Sequence, residues 1–238
     1  MMKYEFLYQG KIYEYTIVRS QRKSVAISVG EDKGIVVKIP LYFPAAEVEK
    51  VVAEKAEWIA EKYEETIIGQ KSKPVHEFKT GEEFYYRGKP LTLNLIINKD
   101  RKRIMVKKQA GKLLVVSFSA KKEVIQEAVI RWYREQAREI LSEKTEYFQQ
   151  FIGKPIGDIR IKEQKSRWGS CSGKGNLNFN WKIMMAPDEI IDYLVVHELC
   201  HLLHMNHSKE FWSSVEAILP DYKVRERWLK KNGTLLTL

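Results

Sequence analysis

The run HELCHLLHMNH, residues 197–207, holds four of the five histidines in the chain. His197 and His201 stand four apart, so on a helix their rings leave the same face about 6 Å apart along the axis. Glu198 lies one residue round. It can reach something held between the two rings without ligating it. The run therefore asks for a helix with an open space before one face, and for chain that turns back to supply a third donor.

A catalytic zinc takes three protein ligands and keeps one position open. His207 lies six residues beyond His201, which gives the metzincin spacing of HExxH, five residues and His. In metzincins a glycine three after the second histidine lets the chain turn. Here that place is His204, and Asn206, which tolerates left-handed backbone, is the expected turn residue. Ser208 suits the N-cap of the next helix and would fix where His207 points. His204 shares the face of His197 and His201 and is the rival third ligand, but its rise of about 10.5 Å from His197 makes convergence on one ion awkward. Glu210 and Glu216 are lesser options.

Two histidines with a glutamate in this order form the arrangement of HExxH metallopeptidases: two zinc ligands and a general base. The metal lowers the pKa of a water to about 7, and the glutamate takes its proton as a carbonyl is attacked. The plain alternative is a set of surface or core histidines on an amphipathic helix. Three at this spacing beside a glutamate outweigh it. His76, alone in an expected linker, does not. Cys171 and Cys200 offer a Cys–His nucleophile in principle, but a small thiol inside a helix is more often simply buried.

The rest of the chain has to support such a site. The 238 residues, 44% of them hydrophobic, suffice for a core and for one large domain or two small ones. Two cysteines are too few for a disulfide framework and fit a reducing compartment. No secretory signal pattern or membrane-length apolar run stands out, so the expectation is a cytoplasmic protein off the membrane. The net charge of +10 invites a nucleic-acid partner. The densest groups are Lys99, Arg101, Lys102 and Arg103, and Lys223, Arg225, Arg227, Lys230 and Lys231. Neither carries interleaved aromatics, so weak, non-specific and salt-sensitive binding is the most the charge implies.

The first half carries one pattern twice. EFLYQGK at Glu5 recurs as EFYYRGK at Glu83, and each copy continues into β-rich stretches and then a helical pattern, about 77 residues apart. One helix is expected from Pro44 to about Ile68, with Val48, Val51, Val52, Ala56 and Ile59 as its apolar stripe. The other runs from about Lys121 to Phe151 and is closed by Gly153. Trp58 and Trp132 fall at similar places in the two, and GQKSKP at Gly69 reads as the join.

After Lys154 the composition changes. A strand IGDIRIKEQ, a loop RWGSCSGKGN and a strand LNFNWKIMM precede three helices, opened by Pro187, by Ser208 and by Pro220 with Asp221. The expected architecture is α+β, with a β-rich region over 1–153 carrying two long helices and a compact unit over 154–238.

HELCHLLHMNHSKEFW, together with KSRWGSCSGKGNLNFNWKIMMAP upstream, resembles the YgjP-like metallopeptidase family of predicted metal-dependent hydrolases, itself similar to the SprT/Spartan and WLM zinc peptidases. The likeness is close from Ile156 to Trp228 and general over the whole chain. It implies a minimal zincin-like domain, one zinc ion on His197, His201 and His207, Glu198 as base, and a peptide or protein substrate. A link to DNA, as a DNA-associated protease or as a nucleic-acid module with a structural zinc, rests on analogy alone. Zincins bind peptide along an edge strand, and LNFNWKIMM is the expected one. Arg167 and Trp168 would then shape the cleft, with Ser170, Ser172 and Asn178 tying the loop to the metal helix. Spacing assigns no oxyanion donor: Tyr193 reads as packing, and Tyr222, Arg225 and Arg227 are not separable.

Overall fold

The computed structural model describes residues 3–30, 34–71, 74–164 and 166–238, with the backbone alone for 68–71. These residues form a mixed α+β structure of three sheets and six α-helices, in two compact units, Met1–Lys73 and Pro74–Leu238. The join expected around GQKSKP falls at this division, although Ser72 and Lys73 and the side chains before them lie outside the described residues.

In the first unit β1 (Lys3–Tyr8) pairs antiparallel with β2 (Lys11–Ser20), which runs parallel to β4 (Gly34–Pro40). Antiparallel β3 (Ala26–Gly30) lies on the far side of β4. Strand side chains alternate between faces, so Tyr13, Tyr15, Ile35, Val37 and Ile39 share one face. Val48 and Val52 of α1 (Ala45–Glu54) and Ile59 and Ala60 of α2 (Ala56–Lys71) join the same core. The single helix expected from Pro44 is thus two. Lys55 leaves helical geometry at φ −108° and ψ 9°, which lets both halves keep their apolar side on one core.

The second unit opens on the same plan. Its strands β5 (Glu83–Tyr86), β6 (Lys89–Ile97), β7 (Met105–Gln109) and β8 (Lys112–Ser117) lie in the order β5-β6-β8-β7, matching β1-β2-β4-β3. Register carries over as well. Glu5 faces Glu14 as Glu83 faces Thr92, and Tyr15 faces Ile35 as Leu93 faces Leu113, each residue shifted by 78 positions. The recurring hairpin has a physical basis. Gln9–Gly10 and Arg87–Gly88 both put two consecutive residues at positive φ, as a tight turn between twisted strands demands.

The helix after β8 is α3 (Lys122–Ile152), ended by Gly153 in the left-handed region at φ 66°. Trp132 on α3 is 6% exposed against the Tyr86 and Tyr133 rings, whereas Trp58 is 47% exposed. Like positions in the repeat do not imply like burial, because α3 is also covered by the elements that follow it. Tyr133, Leu141, Phe148 and Ile152 of α3 share one core with Leu177, Phe179 and Trp181. The compact units therefore divide at 73/74, and the compositional change at 153/154 falls inside one of them.

Beyond α3 come β9 (Ile159–Lys162), β10 (Gly169–Cys171) and β11 (Leu177–Asn180), ordered β10-β11-β9. LNFNWKIMM is only partly strand. It ends at Asn180, whose side chain accepts the Lys182 N–H, and residues 181–185 coil into a buried 3-10 turn. Being paired on both sides, β11 is central, and β10 and β9 are the edges. Then follow α4 (Asp188–Cys200), α5 (Lys209–Ile218) and α6 (Tyr222–Asn232), with Ser208 capping α5 through the Phe211 N–H.

The second hairpin braces α4. The Arg87 guanidinium donates to both oxygens of Asp188 at 2.6 and 2.7 Å, and the Arg87 N–H donates to the Met184 carbonyl at 2.7 Å. At Gly88 an added Cβ would lie 2.9 Å from the Pro187 Cα, so the turn meets the head of α4 with no room for a side chain. Lys144 of α3 bonds Asp192 further along. Of the basic groups, Lys99, Arg101, Lys102 and Arg103 are exposed between β6 and β7. On α6, by contrast, Arg225 is held by Asp221 and the Glu189 carbonyl, and Lys230 by Glu226. Among the described residues no helix is long and apolar enough to cross a membrane.

Candidate metal centre

The histidines stand on a helix buried nearly all round: Ile190, Ile191, Leu194, Val195, Val196, Leu199 and Cys200 of α4 are all buried. A helix apolar on every side belongs at the middle of a core. His201 follows it as the C-cap, still helical at φ −66° and ψ −15°, so its ring stays one turn beyond His197. The helix then ends in a tight turn, with the Leu202, Leu203 and His204 N–H groups bonded to the carbonyls of Leu199 and Cys200. Asn206 is not among the residues with positive φ. The chain thus doubles back through this turn and not through a left-handed residue at 206, as its side-chain chemistry suggested.

That reversal brings His207 to the pair. One ring nitrogen from each of His197, His201 and His207 lies within 4.8 Å of the others. Nε2 of His207 sits 3.1 Å from Nε2 of His197. Nδ1 of His201 faces the His204 carbonyl oxygen at 3.0 Å, and since that oxygen only accepts, Nδ1 carries the proton and Nε2 keeps its lone pair. Burial, reinforced by the neighbouring His201 and His207, pushes the His197 pKa down to about 3 and keeps that ring neutral. Two ring nitrogens facing each other this closely need a proton or a cation between them. Imidazole nitrogens converging on one point fit a borderline-soft divalent ion such as zinc.

His204 contributes its carbonyl to this arrangement and stays outside the cluster of ring nitrogens. Glu210 accepts from the Ser208 hydroxyl at 2.6 Å and is absent from that cluster too, as is Glu216. His76 stacks on Phe84 and lies 3.4 Å from Glu82, a structural role.

Glu198 is 4% exposed, and its Oε2 has no hydrogen-bond partner. Burial pushes its pKa up to about 8, against the pull of the Arg167 charge. The three histidines and Glu198 border a cavity of about 510 Å³, within the size range of small-ligand sites.

A family model described as the YgjP-like metallopeptidase domain matches residues 23–232. The chain belongs to that family. It is thereby a metal-dependent hydrolase of the peptidase class. Among solved structures, the metallopeptidase zymogen abylysin of Pyrococcus abyssi is similar at 26% identity and a TM-score of 0.35, over 38% of this chain and 93% of that one. Jannalysin of Methanocaldococcus jannaschii, likewise a metallopeptidase zymogen, is similar at 22% identity and a TM-score of 0.34, over 40% of this chain and 96% of that one. No curated protein sequence matches.

In this YgjP-like chain the RWGSC stretch forms one wall of the cavity. Arg167 and Trp168 both border it, as does the edge strand Gly169-Ser170-Cys171. Asn178 is on the central strand and donates to the Ser170 hydroxyl at 3.1 Å. The Asn176 N–H donates to the Ser172 hydroxyl. These polar residues tie the loop to its own sheet, not to α4, because β11 lies between its two partners. The thiols stay protonated: burial raises Cys171 to about 11 and Cys200 to about 12, so neither suits a nucleophile.

Three contributors escaped the sequence reading. Phe211, wholly buried, packs its ring 5.1, 4.6 and 4.8 Å from those of His197, His201 and His207. Trp212 stacks on His207 and Tyr222 stacks on Trp212, so α5 and α6 together orient the His207 ring. HSKEFW carried the signal, since an N-cap followed by two aromatics puts both in the first turn beside His207.

Gly169 is the third. A Cβ there would lie 2.5 Å from Oε1 of Glu198 and 2.8 Å from its Cγ and Cδ. Gly169→Ala is therefore expected to displace the Glu198 carboxyl, and with Glu198 in its expected role as base such a displacement costs on the order of a hundredfold in rate. Metal content should be unchanged. Assaying hydrolysis beside metal analysis checks this; an alanine variant as active as the parent would show that Glu198 has room to move.

Proposed function

We propose that the protein is a zinc peptidase in which His197, His201 and His207 hold one zinc ion and Glu198 is the general base. What carries this reading is the convergence of three imidazoles beside a buried carboxyl in one cavity. Zinc bound by three protein ligands supplies Lewis acidity and leaves one position open. The remaining work falls to the chain. Glu198 orients the attacking water and takes its proton. The outer side of β10 offers unpaired backbone groups on which an extended peptide adds as a further strand. Arg167 and Trp168 contact the substrate beside it, and Asn178 acts one step back, holding Ser170 in place. α4 packs against α5, α6 and β10, and this reading takes the second unit as zincin-like.

Removing metal with a chelator is expected to abolish hydrolysis of casein or a mixed peptide library, and one equivalent of zinc per chain to restore it. Hydrolysis that survives complete metal removal would end this reading.

A further inference from the structure

Tyr193 has a buried ring with an unused hydroxyl. The residue is 4% exposed, and its ring meets His197 edge-on with centroids 5.8 Å apart. It precedes His197 by four residues on α4, so both leave the same face, and both border the cavity. The hydroxyl has no hydrogen-bond partner among the described residues, yet it is not one of the partnerless polar atoms sealed from solvent. An unsatisfied O–H on a buried ring that still meets solvent opens onto the cavity its ring lines.

Spacing alone read Tyr193 as packing and left Tyr222, Arg225 and Arg227 unseparated as oxyanion donors; those three are occupied elsewhere. Tyr222 is buried and stacked on Trp212, Arg225 bonds Asp221 and the Glu189 carbonyl, and Arg227 donates to the Lys223 carbonyl. The cations at the cavity, Arg167 and Lys230, are exposed on long flexible side chains, and Lys230 is paired with Glu226 at 2.6 Å. A donor fixed by packing pays no reorganisation when charge develops, whereas a solvated flexible cation does.

Building on the peptidase reading, we infer that the Tyr193 hydroxyl donates a hydrogen bond to the oxygen of the scissile carbonyl and stabilises the negative charge that builds there. The proton stays on the phenol throughout. Nothing is transferred and no bond within Tyr193 breaks. The recognised group is a tetrahedral oxyanion, so a phosphinic pseudopeptide should feel the hydroxyl more strongly than the matching planar amide.

Tyr193→Phe removes one oxygen and keeps the ring against His197. The zinc-loaded parent and variant are compared by metal analysis, by casein hydrolysis and by calorimetric titration with a phosphinic pseudopeptide bearing alanine side chains. The expected result is unchanged zinc, kcat lower by about 10²–10³-fold with KM nearly constant, and at least a tenfold loss in phosphinate affinity. Equal phosphinate affinity in the two proteins, or loss of zinc by the variant, overturns the role of Tyr193 while leaving the peptidase reading standing. A parent that neither cleaves casein nor binds the phosphinate overturns both.

Discussion

Glu198→Gln is expected to bind zinc as the parent does and to lose about a hundredfold to ten-thousandfold in peptide hydrolysis, the usual contribution of a positioned general base. The amide nearly matches the carboxyl in size, so it fits the space that Gly169 leaves open without touching the three ring nitrogens. It cannot accept a proton at neutral pH. Stability should not fall. The parent carboxyl is 4% exposed with one oxygen unpartnered, and burial already favours its neutral form, so a neutral amide of nearly the same size adds no desolvation cost. Zinc analysis, thermal unfolding and casein hydrolysis run side by side separate these effects. A glutamine variant that cleaves as fast as the parent would remove Glu198 from the mechanism, and one that loses zinc would make it a ligand.

Single histidine replacements should sort themselves by geometry. His197→Ala, His201→Ala and His207→Ala each delete one of three converging nitrogens. Losing an orienting partner of a ligand already costs about 10–100-fold in metal affinity, so loss of a ligand itself should exceed that and abolish activity. His204→Ala should stay close to the parent, because His204 serves through its backbone carbonyl, which alanine retains. Competition with a zinc-binding dye measures all four. If His204→Ala loses as much zinc as His207→Ala, the turn through 201–204 is not the one that sets the site.

The pairing of His197 with His201 and the place of Glu198 beside them were legible in one dimension. Helical spacing is fixed by backbone geometry, so residues four apart share a face wherever the helix lies. Caps were equally local: Ser208 accepting the Phe211 N–H and Gly153 in the left-handed region both follow from a residue and its immediate neighbours. The recurrence of EFLYQGK as EFYYRGK marked two hairpins whose turns need positive φ at two successive positions, a local demand too.

What the linear order does not carry is which side of an element meets which neighbour. Nothing in LNFNWKIMM says that β11 is flanked on both sides, with β10 and β9 at the edges; that depends on where β9 and β10 arrive through packing. Nor does it tell that Trp132 is covered and Trp58 half open, or that α3 shares its core with the strands after it, so that the units divide at 73/74. The roles of Gly169 against Glu198, of Phe211 beneath three rings and of the Tyr193 hydroxyl opening on the cavity arise from contacts between elements apart in sequence. A sequence by itself determines the chemistry available and the spacing of groups on one element, because backbone geometry is the same in every context. Only the tertiary structure decides which of those groups are desolvated, oriented and brought within reach of one another, because burial and distance are properties of the packed chain.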